Sequence, residues 1–194
     1  RGRTVRSLFL ILTLGWSALA HAADLSEPHI LVATPELRDA LYGSSILVVK
    51  PVGGDRHIGF IVNRPTGATL GKLFPEDGPS QKIVDPVYLG GPVDAQVLFA
   101  LVERSESPGG SSIEVLPGLY VAFESPIVDG IIESGADHTR FIAGLVVWQP
   151  GELADEISKG AWYVLEADPA LAMRKPDGLW EDLVHRARAA RLAI

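Results

Sequence analysis

Cysteine is absent from the chain, and asparagine occurs once, at Asn63. The first absence excludes disulfides, thiolate nucleophiles and cysteine-based metal sites. Catalytic signatures are missing too. No Gly-x-Ser-x-Gly elbow is present, and Gly43-Ser44-Ser45 and Gly110-Ser111-Ser112 read as a turn and a flexible loop. The stretch Gly67-Ala68-Thr69-Leu70-Gly71-Lys72-Leu73 is one residue short of a phosphate loop, and Leu73 stands where that loop needs a metal-binding hydroxyl. His29, His57, His138 and His185 are far apart, with no two at ligand spacing on one helix or strand. No catalytic residue, metal site or cofactor is therefore expected.

Positive charge is also scarce. Arg1, Arg3 and Arg6 precede an apolar run from Leu8 to Ala20 that ends in Ala20-His21-Ala22, the three-part plan of a secretory leader. The run of about 13 residues is short of the roughly 20 that a spanning helix needs. The expected organisation is a cleaved signal peptide over residues 1–22 and a single domain over residues 23–194, with no membrane span in the mature chain. An uncleaved anchor or a misassigned start, since the chain opens on Arg1, are the other readings. Losing three arginines takes 17 basic residues to 14 against 24 acidic ones, a formal charge of −10. Such a chain repels phosphate backbones, so direct nucleic-acid binding is disfavoured.

What is present is a core-forming chain, 47% hydrophobic and long enough for one domain. Strands are expected over His29–Ala33, Ser45–Val49, Ile58–Asn63, Val87–Leu89, Gln96–Glu103, Ile113–Leu116, Leu119–Phe123, Arg140–Trp148 and Ala161–Glu166. Val52-Gly53-Gly54-Asp55 and Pro117-Gly118 supply hairpin turns. A short turn through Glu36 to Leu41, capped by Thr34, is expected, and helical segments at Thr69–Phe74 and after Ser125-Pro126 with the serine as cap. Further ones follow Gln149-Pro150-Gly151-Glu152 and Asp168-Pro169, and the last runs over about Gly178–Ala190. Glu152, Asp155 and Glu156 suit the positive end of a helix, which explains that acidic group without a substrate. Hairpins come first and helices cluster later, giving an α+β class with a largely antiparallel sheet.

Polar character collects at strand ends. Asn63 and Arg64 follow a bulky strand and precede Pro65, which has no N–H for a ladder. They are either a clamp for a ligand or loop, or a turn in which Arg64 pairs with a carboxylate. Gly90-Gly91 permits a φ-positive turn or close approach of another backbone. Trp148 stands between a strand and a helix N-terminus, where free N–H groups suit an anion; a tryptophan capping the core is the alternative.

Four separated runs then form one pattern: Leu31-Val32-Ala33-Thr34-Pro35; Gly59-Phe60-Ile61-Val62-Asn63-Arg64-Pro65; Val87-Tyr88-Leu89-Gly90-Gly91-Pro92-Val93; and Trp148-Gln149-Pro150-Gly151-Glu152-Leu153 before Gly160-Ala161-Trp162. In this order they resemble the YqgE/AlgH family of bacterial proteins, over about Ile30 to Trp180. The resemblance implies one α+β domain with a bulged, half-barrel-like antiparallel sheet and helices packed on it. It brings no catalytic residues. This chain departs from the family in its leader and in Gly144-Leu145-Val146-Val147-Trp148, where the family has Gly-Tyr-Ala-Gly-Trp.

The expected function is non-enzymatic binding of a small molecule or protein partner by an exported protein, periplasmic or secreted. Asn63, Arg64, Gly90, Gly91, Trp148, Gly151 and Glu152 are the candidate binding residues. The alternatives are a transcriptional regulator, which the family has been named as and which requires a cytoplasmic chain, or a hydrolase using Glu152 with Asn63 and Arg64 as substrate clamps.

Overall fold

The computed structural model describes residues 24–192. The expected leader lies outside them. Strands β1 (His29–Ala33), β2 (Ile46–Pro51) and β3 (His57–Ile61) are antiparallel neighbours, the last two joined by the expected glycine turn. Strand β4 (Pro65–Thr69) runs into a single helical turn, α1 (Leu70–Leu73), and pairs with β5 (Pro86–Leu89). The long β6 (Val93–Glu103) is followed by the hairpin of β7 (Ile113–Leu116) and β8 (Leu119–Ala122). Helix α2 (Ser125–Glu133) leads to β9 (Thr139–Trp148), α3 (Glu152–Ser158) to β10 (Trp162–Leu165), and α4 (Pro169–Met173) and α5 (Leu179–Leu192) complete the α+β domain.

The strand order is β10-β1-β2-β3-β9-β6-β8-β7, with β9 near the middle. Among the described residues only β5 on β9 is a parallel pair. The sheet curls until β7 packs against β2, and no strand pairing among the described residues closes that seam. The result is a half-barrel.

Period-two alternation sorts side chains between the two faces. Ile30, Val32, Ile46, Val48, Phe60, Phe99 and Leu101 point to the inner core, where Leu171, Leu179 and Leu183 of α4 and α5 join them. Leu31, Leu47, Val49 and Ile61 point to the outer face with Trp148 and Trp162. Strand β9 breaks the alternation. Ile142 and Leu145 both belong to the inner core, whereas Val146 and Trp148 lie outside. Gly144, at φ +77°, reverses the facing of the strand between them.

Three local expectations differ from the structure. Pro65 opens β4 rather than closing a polar stretch, because the first residue of a strand does not need its N–H. Glu36, Ala40 and Leu41 do lie in turns. Thr34 does not cap them: its hydroxyl donates to the Gly160 carbonyl at 2.7 Å and ties β1 to the turn before β10. Finally, Glu124 rather than Ser125 occupies the position before α2, with no side-chain cap bond.

Candidate functional site

Asn63 and Arg64 direct their side chains inward along the chain. The Asn63 carboxamide accepts from Ile46 N at 2.8 Å and donates to Ser44 O at 2.9 Å. The Arg64 fork donates to Ala40 O and Gly43 O, both at 2.9 Å, so its hydrogen bonds go to carbonyls rather than a carboxylate. Asp39 pins the same loop from within, accepting from Leu41 N and Tyr42 N. The Tyr42 and then the Leu41 amide hold its carboxyl below the usual carboxylate range. The loop presents Tyr42 edge-on to Trp162, with centroids 6.2 Å apart.

Trp148 and Trp162 share one acceptor, since Glu156 takes both indole N–H groups at 3.0 and 2.7 Å. Gly59 leaves the space in which the Trp148 ring sits. Glu152 accepts from Gln149 N, and Gly151 N donates to Asp55 of the β2–β3 turn at 2.8 Å. Asn63, Arg64 and Trp148 are thus connected through Tyr42, Trp162 and Glu156 on the outer face.

Gly90 and Gly91 do something different. Ile142 and Ala143 pair with β5 on one edge and with β6 on the other, so Gly90-Gly91-Pro92 must step across the face of β9. A Cβ on Gly90 would meet Ile142 and the Gly144 carbonyl; one on Gly91 would meet the backbone of Leu145. Gly144 in turn faces Gly91 O and Val93 O. Backbone crosses backbone with no room for a side chain. The strand end at Arg64 meets this crossing through main chain alone, by Leu89 N to Arg64 O and Ile61 N to Gly90 O, both 2.9 Å.

The crossing shapes a cavity that sequence reading missed. Val93 pairs with Leu145 and Leu98 with Ala143, so four residues of β6, Asp94 to Val97, bulge opposite Gly144 alone. The bulge bends β6 outward and opens the half-barrel there. The opening is a cavity of about 320 Å³, lined by side chains including Phe60, Val97, Phe99, Phe123 and Leu145. Asp94 is its only charged lining residue and holds φ +49°. Phe60 and Phe99 meet edge to face at 5.3 Å, and Phe123 stays 38% exposed at the rim. Leu145 comes from the segment in which this chain departs from the family pattern. None of the seven predicted binding residues lines the cavity. No sequence signal separates its lining from ordinary core.

At the opposite end of β9 a buried arginine ties the chain together. Arg140, 8% exposed, donates to the carbonyls of Val62, Ala172, Met173 and Arg174 and lies over the Tyr88 ring at 4.3 Å. Burial lowers its pKa, opposed by the charges of Tyr88 and Asp85. A cleft of about 430 Å³ beside it carries both signs, with Lys82 and Lys175 against Asp85 and Asp137. Among the described residues no three histidine or acidic side chains are grouped to hold a metal, and no helix is long and apolar enough to cross a membrane.

A curled antiparallel half-barrel with a crossed central strand defines the class of protein. The family model described as AlgH-like matches residues 30–190. The chain belongs to that family. It is 33% identical to a UPF0301 protein of Methylococcus capsulatus over 171 residues, covering 85% of this chain and 92% of that one. It is 32% identical to a UPF0301 protein of Paraburkholderia phymatum over 152 residues, 75% and 79% of the two chains. The solution structure of AlgH from Pseudomonas aeruginosa superposes with a TM-score of 0.68 at 26% identity, covering 89% and 92%. A crystal structure from Corynebacterium diphtheriae shares the fold at a TM-score of 0.65 and 20% identity, covering 83% and 86%.

Proposed function

We propose that this protein is a non-enzymatic, exported binding protein that takes a small apolar molecule into the mouth of its half-barrel. One observation carries the reading: five strands present carbon to an open cavity of about 320 Å³, a size and lining typical of small-molecule sites at barrel mouths. The motif residues act as its frame. Gly90 and Gly91 force the crossing that opens β6, while Asn63, Arg64, Trp148, Gly151 and Glu152 fix the loops and turns of the outer face.

Octan-1-ol, titrated into protein while methyl resonances of Ile58, Val97, Val121 and Leu145 are followed, tests the reading. Saturable shifts confined to those methyls are expected, and Val97→Trp, which fills the mouth, abolishes them. Unmoved methyls, or unchanged binding by Val97→Trp, overturn the assignment. Export is tested separately by fractionation and N-terminal sequencing of the mature protein: a chain beginning near Ala23 outside the cytoplasm is expected, and an intact cytoplasmic N-terminus contradicts it.

A further inference from the structure

Resting on that reading of the mouth, we infer that its ligand is an amphiphilic cation, an apolar body carrying one ammonium or comparable positive head. The cavity supplies nine apolar side chains and a single charge, the carboxylate of Asp94. That carboxylate is exposed and has no hydrogen bond or ion pair within the described residues. Among the described residues no lysine, arginine or histidine lines the cavity, so none of them neutralises Asp94 there or attracts an anionic head. Phe123, exposed at the rim, adds an aromatic ring at the level where the head group sits, and aromatic faces attract cations and repel anions.

The position of Asp94 is built in. It is the first residue of the β6 bulge and adopts a left-handed conformation that a side-chain-bearing residue rarely takes. Aspartate takes that conformation more readily than most side-chain-bearing residues, and it stands here where β6 leaves its register with β9 beside the crossing of Gly91 and Gly144. The stretch of β6 that opens the mouth thus also carries a negative charge at its rim. An alkyl or aryl group entering the cavity leaves its head group at the level of that rim.

Three probes with one tail and different heads separate the two claims: octan-1-ol, octylammonium and octanoate, titrated at low salt against the same methyl resonances. Octylammonium is expected to bind about fivefold tighter than octan-1-ol, the scale of a rim charge and ring contact. Octanoate is expected to bind more weakly than either. The preference shrinks as added salt screens the rim. Asp94→Asn, which tolerates the left-handed conformation, brings octylammonium down to the affinity of octan-1-ol. If octan-1-ol binds and octylammonium gains nothing, or if Asp94→Asn keeps the gain, the cation assignment fails and the apolar mouth stands. If none of the three binds, the mouth itself fails as a site.

Discussion

The two ends of β9 solve the same problem in opposite ways. At its start, a buried Arg140 gives its terminal N–H groups to the backbone carbonyls of Val62, Ala172, Met173 and Arg174, tying the chain to itself beside a polar cleft. Near its other end, Gly144 withdraws its side chain, β6 bows away, and the core opens past Phe99 and Phe123 with an unpaired Asp94 at the edge. A charge whose terminal donors go to its own backbone holds a structure together. An unpaired charge leaves something for a partner.

That contrast is broken most severely at the crossing. Gly144→Ala places a methyl against Gly91 O at a positive φ, and a loss of about 4 kcal/mol or no folded protein is expected in chemical denaturation. Gly151→Ala is the control, because Gly151 also has positive φ but open space around it; about 1 kcal/mol is expected. At the start of β9, Arg140→Leu strands the carbonyls of Val62 and α4. About 3 kcal/mol is expected, with the mouth still binding octan-1-ol.

Away from both ends, Arg64→Ala removes two bonds to the 40–43 carbonyls and costs about 1–2 kcal/mol. Faster amide exchange in residues 39–45 and unaltered octan-1-ol binding are expected; weakened binding would place Arg64 in the site itself. The same loop responds to acid. The carboxyl pKa of Asp39 is depressed in the folded protein, so its contribution is present above the unfolded value and is lost as pH falls through the folded one. Protection of the Leu41 and Tyr42 amides, taken relative to their intrinsic exchange rates, should fall over that acidic window. The smallest effect belongs to Asp94→Gly, which relieves the left-handed residue and changes stability by less than about 1 kcal/mol while erasing the head-group preference.

Much of the fold was legible because the apolar runs are short and the turns explicit, as at Val52–Asp55 and Pro117-Gly118. What was not legible depends on contacts distant in sequence. Arg140 opens a strand and looks solvent-facing until α4 arrives to bury it. Gly144 looks like any glycine in a strand; only the passage of residues 90–92 over it explains the reversal that puts Leu145 inside. Pro65 was read as a stop because its missing N–H is equally suited to a strand's first residue. Asn63, Arg64 and Trp148 do stand at or just past strand ends, but spacing alone does not say whether a side chain turns inward. The mouth gave no warning at all, since Phe60 and Phe99 are indistinguishable in sequence from residues that face only one another.

The step of residues 90–92 across β9 also carries a kinetic consequence. Strands β5 and β6 are joined by three residues, yet the strand that separates them is made far later in the chain. The two cannot zip together as a local hairpin. They must wait for β9 to arrive between them, beneath a strap already covalently complete. Folding should therefore be limited by this long-range docking and slow for a domain of this size, with the β2–β3 and β7–β8 hairpins formed well before it.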